Sequence, residues 1–147
     1  MIQKERPVEI LLIEDNSGDV LLTKEAFEEI DFRDNISVAR DGEEALDYLY
    51  KRGIYSNAVR PDLIMLDLNL PRKDGREVLE VIKNDPQLKT IPVIVLTTSK
   101  SDRDIRISYE NYANCYIVKP VKFEEFLEII KFVVDFWINL VKLPGLK

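Results

Sequence analysis

The chain has 147 residues, 46% of them hydrophobic and 33% charged, which is enough for one domain with a substantial core. With 27 acidic against 21 basic residues, the formal net charge of −6 argues against a nucleic-acid surface, which needs clustered Lys and Arg. The absence of histidine excludes histidine general acid–base catalysis and His-ligated metal.

The opening "MIQKERPVE" is too charged for a secretory signal and predicts an intracellular, cytoplasmic chain. Five short apolar runs then alternate with segments of helical length. The predicted strands are "EILLIE" (Glu9–Glu14), "ISVA" (Ile36–Ala39), "LIMLD" (Leu63–Asp67), "PVIVLT" (Pro92–Thr97) and "CYIV" (Cys115–Val118). They are rich in Val, Ile and Leu without polar alternation, the pattern of parallel strands covered on both faces.

Val20, Leu21, Thr23, Lys24, Phe27 and Ile30 mark the first helix, and Ala45, Leu46, Tyr48 and Leu49 the second. Val78, Leu79 and Ile82 mark the third; Ile105, Ile107, Ser108 and Tyr112 mark the fourth. Asp41 and Ser101 stand where helix caps belong. The alternation predicts an α/β fold, a doubly wound five-stranded parallel sheet with right-handed crossovers. No repeat, low-complexity segment or second domain is visible. The single cysteine, Cys115, lies in an apolar run and reads as a small core residue.

In such a sheet, ligands sit beyond the carboxyl ends of the strands. The first strand ends in Glu14 and Asp15, the third in Asp67 and the fourth in Thr97; Lys119 follows the fifth. Each has an ordinary reading by itself: a cap, a turn former, a solvated loop. Together they bring carboxylates, a hydroxyl and an ammonium to one rim. Clustered carboxylates repel one another unless a cation neutralises them. All-oxygen ligands at an open site suit Mg²⁺ (or Mn²⁺), with Asp15 and Asp67 as direct ligands, Glu14 reaching through a water and the Asn69 main-chain carbonyl adding an oxygen. A carboxylate can then attack phosphorus and form an acyl phosphate. The cation, Lys119 and Thr97 would stabilise the charge on the transferring oxygens.

"IEDN…LLTKEAF", "PDLIMLDLNLPRKDGREVL", "IPVIVLTTS" and "CYIVKP" resemble the receiver domain of two-component response regulators, over roughly residues 8 to 134. The resemblance implies a flavodoxin-like strand order 2-1-3-4-5 and phosphorylation of Asp67 by a partner sensor histidine kinase or its phosphotransfer domain. It makes Glu14 and Asp15 the acidic pair, Thr97 the switch hydroxyl, Lys119 the phosphate-contacting lysine and Tyr116 the aromatic rotamer switch. It implies a cis peptide between Lys119 and Pro120, and signalling through the surface of the fourth helix, fifth strand and fifth helix. The phosphohistidine donor must be another protein, because this chain has none to offer.

The chain runs on through "FEEFLEIIKFVVDFWINLVKLPGLK", predicting an extended C-terminal helix over about 122–143. From Glu128 onward its polar residues, Lys131, Asp135, Asn139 and Lys142, fall in a stripe roughly 80° wide at about 100° per residue. A surface helix needs only one apolar face of somewhat more than about 100°. Charges at every turn argue against a membrane span. The second apolar face, with Phe132, Phe136, Trp137 and Leu140, predicts a homodimer interface. This tail, the stretch "RGIYSNAVRP" and the lack of an output domain resemble the stand-alone regulators paired with phytochrome-type kinases.

Three rivals remain. A dehalogenase-class phosphatase would place a second Asp where Asn69 stands. A flavodoxin would need a hydroxyl- and glycine-rich phosphate loop where Glu14 and Asp15 repel phosphate. A degenerate receiver acting as a non-phosphorylated scaffold would not need Asp67, Thr97 and Lys119 together. One departure from the family is Thr98, where many receivers carry Ala or Gly. Its bulk beside the site is expected to restrict water, so Thr98→Ala loses its phosphoryl group faster than wild type by intact mass; equal or slower loss rejects this.

Overall fold

The computed structural model describes residues 6–144. The elements follow in the order β1 (Glu9–Ile13), α1 (Ser17–Glu29), β2 (Asn35–Ala39), α2 (Gly42–Leu49), a 3₁₀ turn (Gly53–Tyr55), β3 (Leu63–Leu66), α3 (Gly75–Asn84), β4 (Val93–Thr97), α4 (Asp102–Glu110), β5 (Cys115–Val118) and α5 (Phe123–Val133). All pairings are parallel and the strand order is β2-β1-β3-β4-β5.

Each early helix begins on a side chain suited to take an orphan N–H. Asn16 accepts from the Asp19 amide at 2.9 Å, Asp41 from Glu44 at 2.7 Å and Ser101 from Asp104 at 3.2 Å. Asp74 accepts from the Arg76 amide at 3.0 Å at the start of α3. These bonds set where each rim loop ends.

The core has two halves, one on each sheet face. Val20, Ala26 and Phe27 of α1 and Phe126, Ile130 and Val133 of α5 cover one face, over Ile10, Leu12, Met65 and Leu96. Ala45, Leu46, Val78, Leu79 and Ile82 of α2 and α3 cover the other, over Leu11, Ile13, Ile64 and Val95. Burying a side chain such as Phe27 contributes about 1.5–3 kcal/mol. The expectation that strands are covered on both faces holds for the central β3 and β4 but not for the edges. All of β5 is only half-buried, and β2 is covered fully only at Ala39. An edge strand lacks a neighbour's crossover helix on its outer side.

Two further expectations are corrected. No cis peptide occurs among the described residues, so Lys119–Pro120 is trans, the lower-energy isomer for X–Pro. The extended C-terminal helix is present, but it ends at Leu140 rather than near 143: α5 widens into a π-helical segment, Val134–Leu140, and the chain is extended at Val141. The Val141 amide bonds the Phe136 carbonyl, five residues back, at 2.9 Å. Packing explains the change. Buried positions run Phe126, Ile130, Val133 and then Ile138, and a last step of five residues needs a wider turn.

The β2–α2 junction lies hard against the loop after β3. A Cβ on Gly42 would sit 1.9 Å from the Lys73 carbonyl oxygen, backbone that has no easy way to retreat. Gly42→Ala is therefore expected to cost roughly 1–3 kcal/mol, read as a lower urea midpoint. An unchanged midpoint would show that the loop yields freely.

Candidate functional site

Sheet register builds the rim. Ile13 pairs with Leu66, so Glu14 emerges beside Asp67; Thr97 pairs with Val118, so Lys119 emerges one strand further on. Backbone bonds pin these exits, from the Asp67 amide to the Ile13 carbonyl at 3.0 Å and from the Lys119 amide to the Thr97 carbonyl at 2.7 Å. Glycine closes the loop beyond. Gly75 packs so tightly that a Cβ there would meet the Asp67 carbonyl oxygen at 2.3 Å.

Glu14, Asp67 and Thr97 are buried, and Asp15 is exposed. One carboxylate oxygen from each of Glu14, Asp15 and Asp67 lies within 4.8 Å of the others. The Lys119 ammonium stands among carboxylates. It donates to Glu14 Oε1, to Asp19 Oδ2 at 2.9 Å and to Asp67 Oδ2 at 3.3 Å. The amide of Asn69, itself exposed, folds back onto Asp67 Oδ1 at 3.3 Å.

Burial pushes the Glu14 carboxyl up to about 7, against the hydrogen bond and charge of Lys119, with the Asp67 charge adding to the rise. Burial pulls Lys119 down, but the hydrogen bonds it donates to Asp19 and Glu14 outweigh it and hold the ammonium charged. A single cation thus faces more negative charge than it can neutralise. Among the described residues no side chain pairs with Asp15. That unmatched exposed carboxylate, next to two buried ones, is an all-oxygen donor set fitting a hard divalent cation.

Thr97 ends β4 fully buried, and its hydroxyl accepts from the Ser99 amide at 3.5 Å. Tyr116 is half-buried on β5, its hydroxyl donating to the Ser99 carbonyl at 2.9 Å. Sequence reasoning therefore brings Glu14, Asp15, Asp67, Asn69, Thr97 and Lys119 to the correct edge. It misses Asp19, whose signal was an acid in the first turn of α1, four residues after Asp15. Ser99 was also missed, with no signal beyond a small polar residue after the strand.

The C-terminal group divides. Phe132, Phe136 and Leu140 form an exposed ridge, with the two phenyl rings stacked at 5.6 Å. Trp137 does not join them. It is half-buried against the α1–α5 core, edge-on to Phe136 and beside the Cys115 thiol, because the widened helix turns it inward.

A parallel sheet in this order, with acidic side chains and one lysine at its carboxyl rim, defines a receiver-type domain. Residues 10–131 match the response regulator receiver domain, and the chain belongs to that family. It is 44% identical over 139 residues to response regulator Rcp1 of Synechocystis sp., covering 95% of each chain. It is 41% identical over 145 residues to the probable methanogenesis regulatory protein FilR2 of Methanothrix harundinacea, covering 99% of this chain and 93% of that one. The structure superposes on the crystal structure of Mn²⁺-bound Rcp1 with a TM-score of 0.90 at 43% identity, covering 95% of this chain and all of that one. The phosphorylated cyanobacterial phytochrome response regulator RcpA gives a TM-score of 0.90 at 47% identity, covering 95% and 99%.

The donor set carries a direct test. Mn²⁺ titrated calorimetrically is expected to bind Asp15→Asn about tenfold more weakly than wild type, since the cluster loses one of its three carboxylates. Equal affinity would remove Asp15 from the cation site.

Proposed function

We propose that the chain is a response regulator receiver whose Asp67 accepts a phosphoryl group from a sensor histidine kinase, of the phytochrome type. The observation that carries this is the lysine of one strand end bonded to the carboxylate of another. Lys119 on Asp67 puts a fixed positive charge where phosphoryl oxygens would arrive. The names of the relatives Rcp1 and RcpA, the latter a phytochrome response regulator in a phosphorylated form, support the kinase type.

An Asp67 carboxylate oxygen attacks phosphorus, an acyl phosphate forms, and the donor imidazole leaves with the electrons of the broken N–P bond. A divalent cation, Mg²⁺ (or Mn²⁺), held by Asp15, Asp67 and the Asn69 carbonyl with Glu14 through a water, would neutralise charge on the transferring oxygens. Lys119 exchanges part of its grip on Asp19 and Glu14 for a phosphoryl oxygen. The Thr97 hydroxyl gives up the Ser99 amide, a bond already long at 3.5 Å, and turns toward the new anion. Tyr116 then follows, altering the α4–β5–α5 face by a shift in population. The role is signalling rather than turnover, in the cytoplasm, with no nucleic-acid or membrane partner. One receiver domain spans the chain.

The exposed ridge of Phe132, Phe136 and Leu140 supports a homodimer, each ridge meeting its copy across a twofold axis. Glu128, Lys131 and Asp135 flank it with both charge signs, suited to antiparallel pairing.

Incubation with Mg²⁺ and acetyl phosphate is expected to add one phosphoryl group by intact mass, and none with EDTA or in Asp67→Asn. A wild type that gains nothing leaves only the scaffold reading. Light scattering at tens of micromolar is expected to show a dimer that Phe136→Glu converts to monomer; monomer throughout, phosphorylated or not, removes the dimer.

A further inference from the structure

Arg76 has no part in the site above, yet its guanidinium is the most heavily bonded side chain near it. It lies in the first turn of α3, just beyond the loop that follows Asp67. Its Nη1 donates to Asp74 Oδ1 and Oδ2 at 2.9 and 3.1 Å, and reaches the carbonyl of Leu68, the residue after Asp67, at 3.4 Å. Its Nε and Nη2 grip both oxygens of Asp104, in the first turn of α4, at 2.8 and 2.7 Å. This is the bidentate fork that only arginine provides, and it fixes orientation as well as distance.

Asp104 passes the constraint on. The Ser99 hydroxyl donates to Asp104 Oδ2 at 2.6 Å. Ser99 is then bonded in three further directions: its hydroxyl accepts from the Ser101 amide at 3.3 Å, its amide donates to the Thr97 hydroxyl and its carbonyl accepts from the Tyr116 hydroxyl. The same residue thus touches the hydroxyl that would move and the ring that would answer. The β4–α4 loop is held to α3 through one carboxylate.

We propose that Arg76 and Asp104 form a latch that holds Ser99, and through it couples the state of Asp67 to the position of Tyr116. Arg76 is a positioning residue and touches no reacting atom. With the latch closed, Ser99 cannot drift when Thr97 turns away, so the Tyr116 hydroxyl keeps a fixed acceptor and its ring has defined positions to choose between. With the latch broken, the loop moves independently of the acceptor. Tyr116 then samples both positions whatever Asp67 carries. The coupling half of the proposal rests on Asp67 as acceptor; the Ser99–Tyr116 half does not.

The test uses the full chain with ¹³C-labelled tyrosine, followed by NMR before and after Mg²⁺ and acetyl phosphate, with phosphoryl uptake by intact mass. Wild type is expected to give Tyr116 ring signals at one position that move on phosphorylation. Arg76→Gln is expected to reach the same phosphoryl content, with Tyr116 signals already displaced or broadened before the donor is added. Arg76→Lys, which keeps the charge and loses the fork, behaves as Arg76→Gln. Ser99→Ala cuts the link without disturbing the ion pair, and decides the matter if Arg76→Gln fails to fold. In a Tyr116→Phe background, Arg76→Gln is expected to move the α4 amides much less than in wild type. That separates a latch acting through Ser99 and Tyr116 from a general loosening of α3 and α4.

Tyr116 signals of Arg76→Gln and Ser99→Ala that superpose on wild type in both states would overturn the proposal. So would an equal displacement of the α4 amides in the Phe background. A wild type that gains no phosphoryl group overturns the acceptor role and with it the coupling, while the donor-free Tyr116 spectra still decide whether the latch holds the ring.

Discussion

Everything at the rim depends on one ammonium held among carboxylates from three separate parts of the chain. Lys119 comes from the end of β5, Glu14 and Asp67 from the ends of β1 and β3, and Asp19 from the first turn of α1. Removing water from such a group is costly unless each charge finds a partner. The fold meets that condition by using a parallel sheet, whose strands all deliver their carboxyl ends to the same edge. It meets it only in part, because acids outnumber the lysine, and the excess negative charge is what gives the site its appetite for a second cation. The same excess would repel a phosphoryl donor if that charge were left bare.

The rim was legible because two signals coincide in the sequence. Apolar runs mark strands, and each run but the second stops at a chemically distinctive residue: Glu14, Asp67, Thr97 or Lys119. Strand order follows from the family resemblance, and the observed register brings those residues together. Partners approaching from helices were not legible. Asp19 and Asp104 sit in first turns, where acids are expected for the sake of the helix dipole alone, and Arg76 follows the Asp74 cap of α3, which by itself accounts for a nearby base. Nothing in their spacing says which will turn toward the site. Arg76 and Asp104 are 28 residues apart and meet only because α3 and α4 are neighbours.

The C-terminal helix shows a different limit. The charge stripe was read with a constant turn of 3.6 residues, and its polar members are indeed all exposed. The apolar members cannot be assigned that way, because the helix widens between Val133 and Ile138 to keep burying side chains. A five-residue step moves one member of the expected outer face inward. Trp137, the largest apolar side chain in the segment, goes to the protein's own core, while Phe132 and Leu140 are left outside. A period describes a helix until packing changes the turn.

The bond between Lys119 and Asp19 has a thermodynamic corollary. Asp19 belongs to α1 while Asp67 follows β3, so a helix and a strand end compete for the same proton-rich tip. Free-energy linkage is symmetric. Any molecule that grips α1 and draws Asp19 away from the lysine changes the affinity of the rim for an incoming anion. An anion bound beside Asp67 then alters the hold of that molecule on α1 by the same factor, so the docking of one and the release of the other are two readings of one equilibrium.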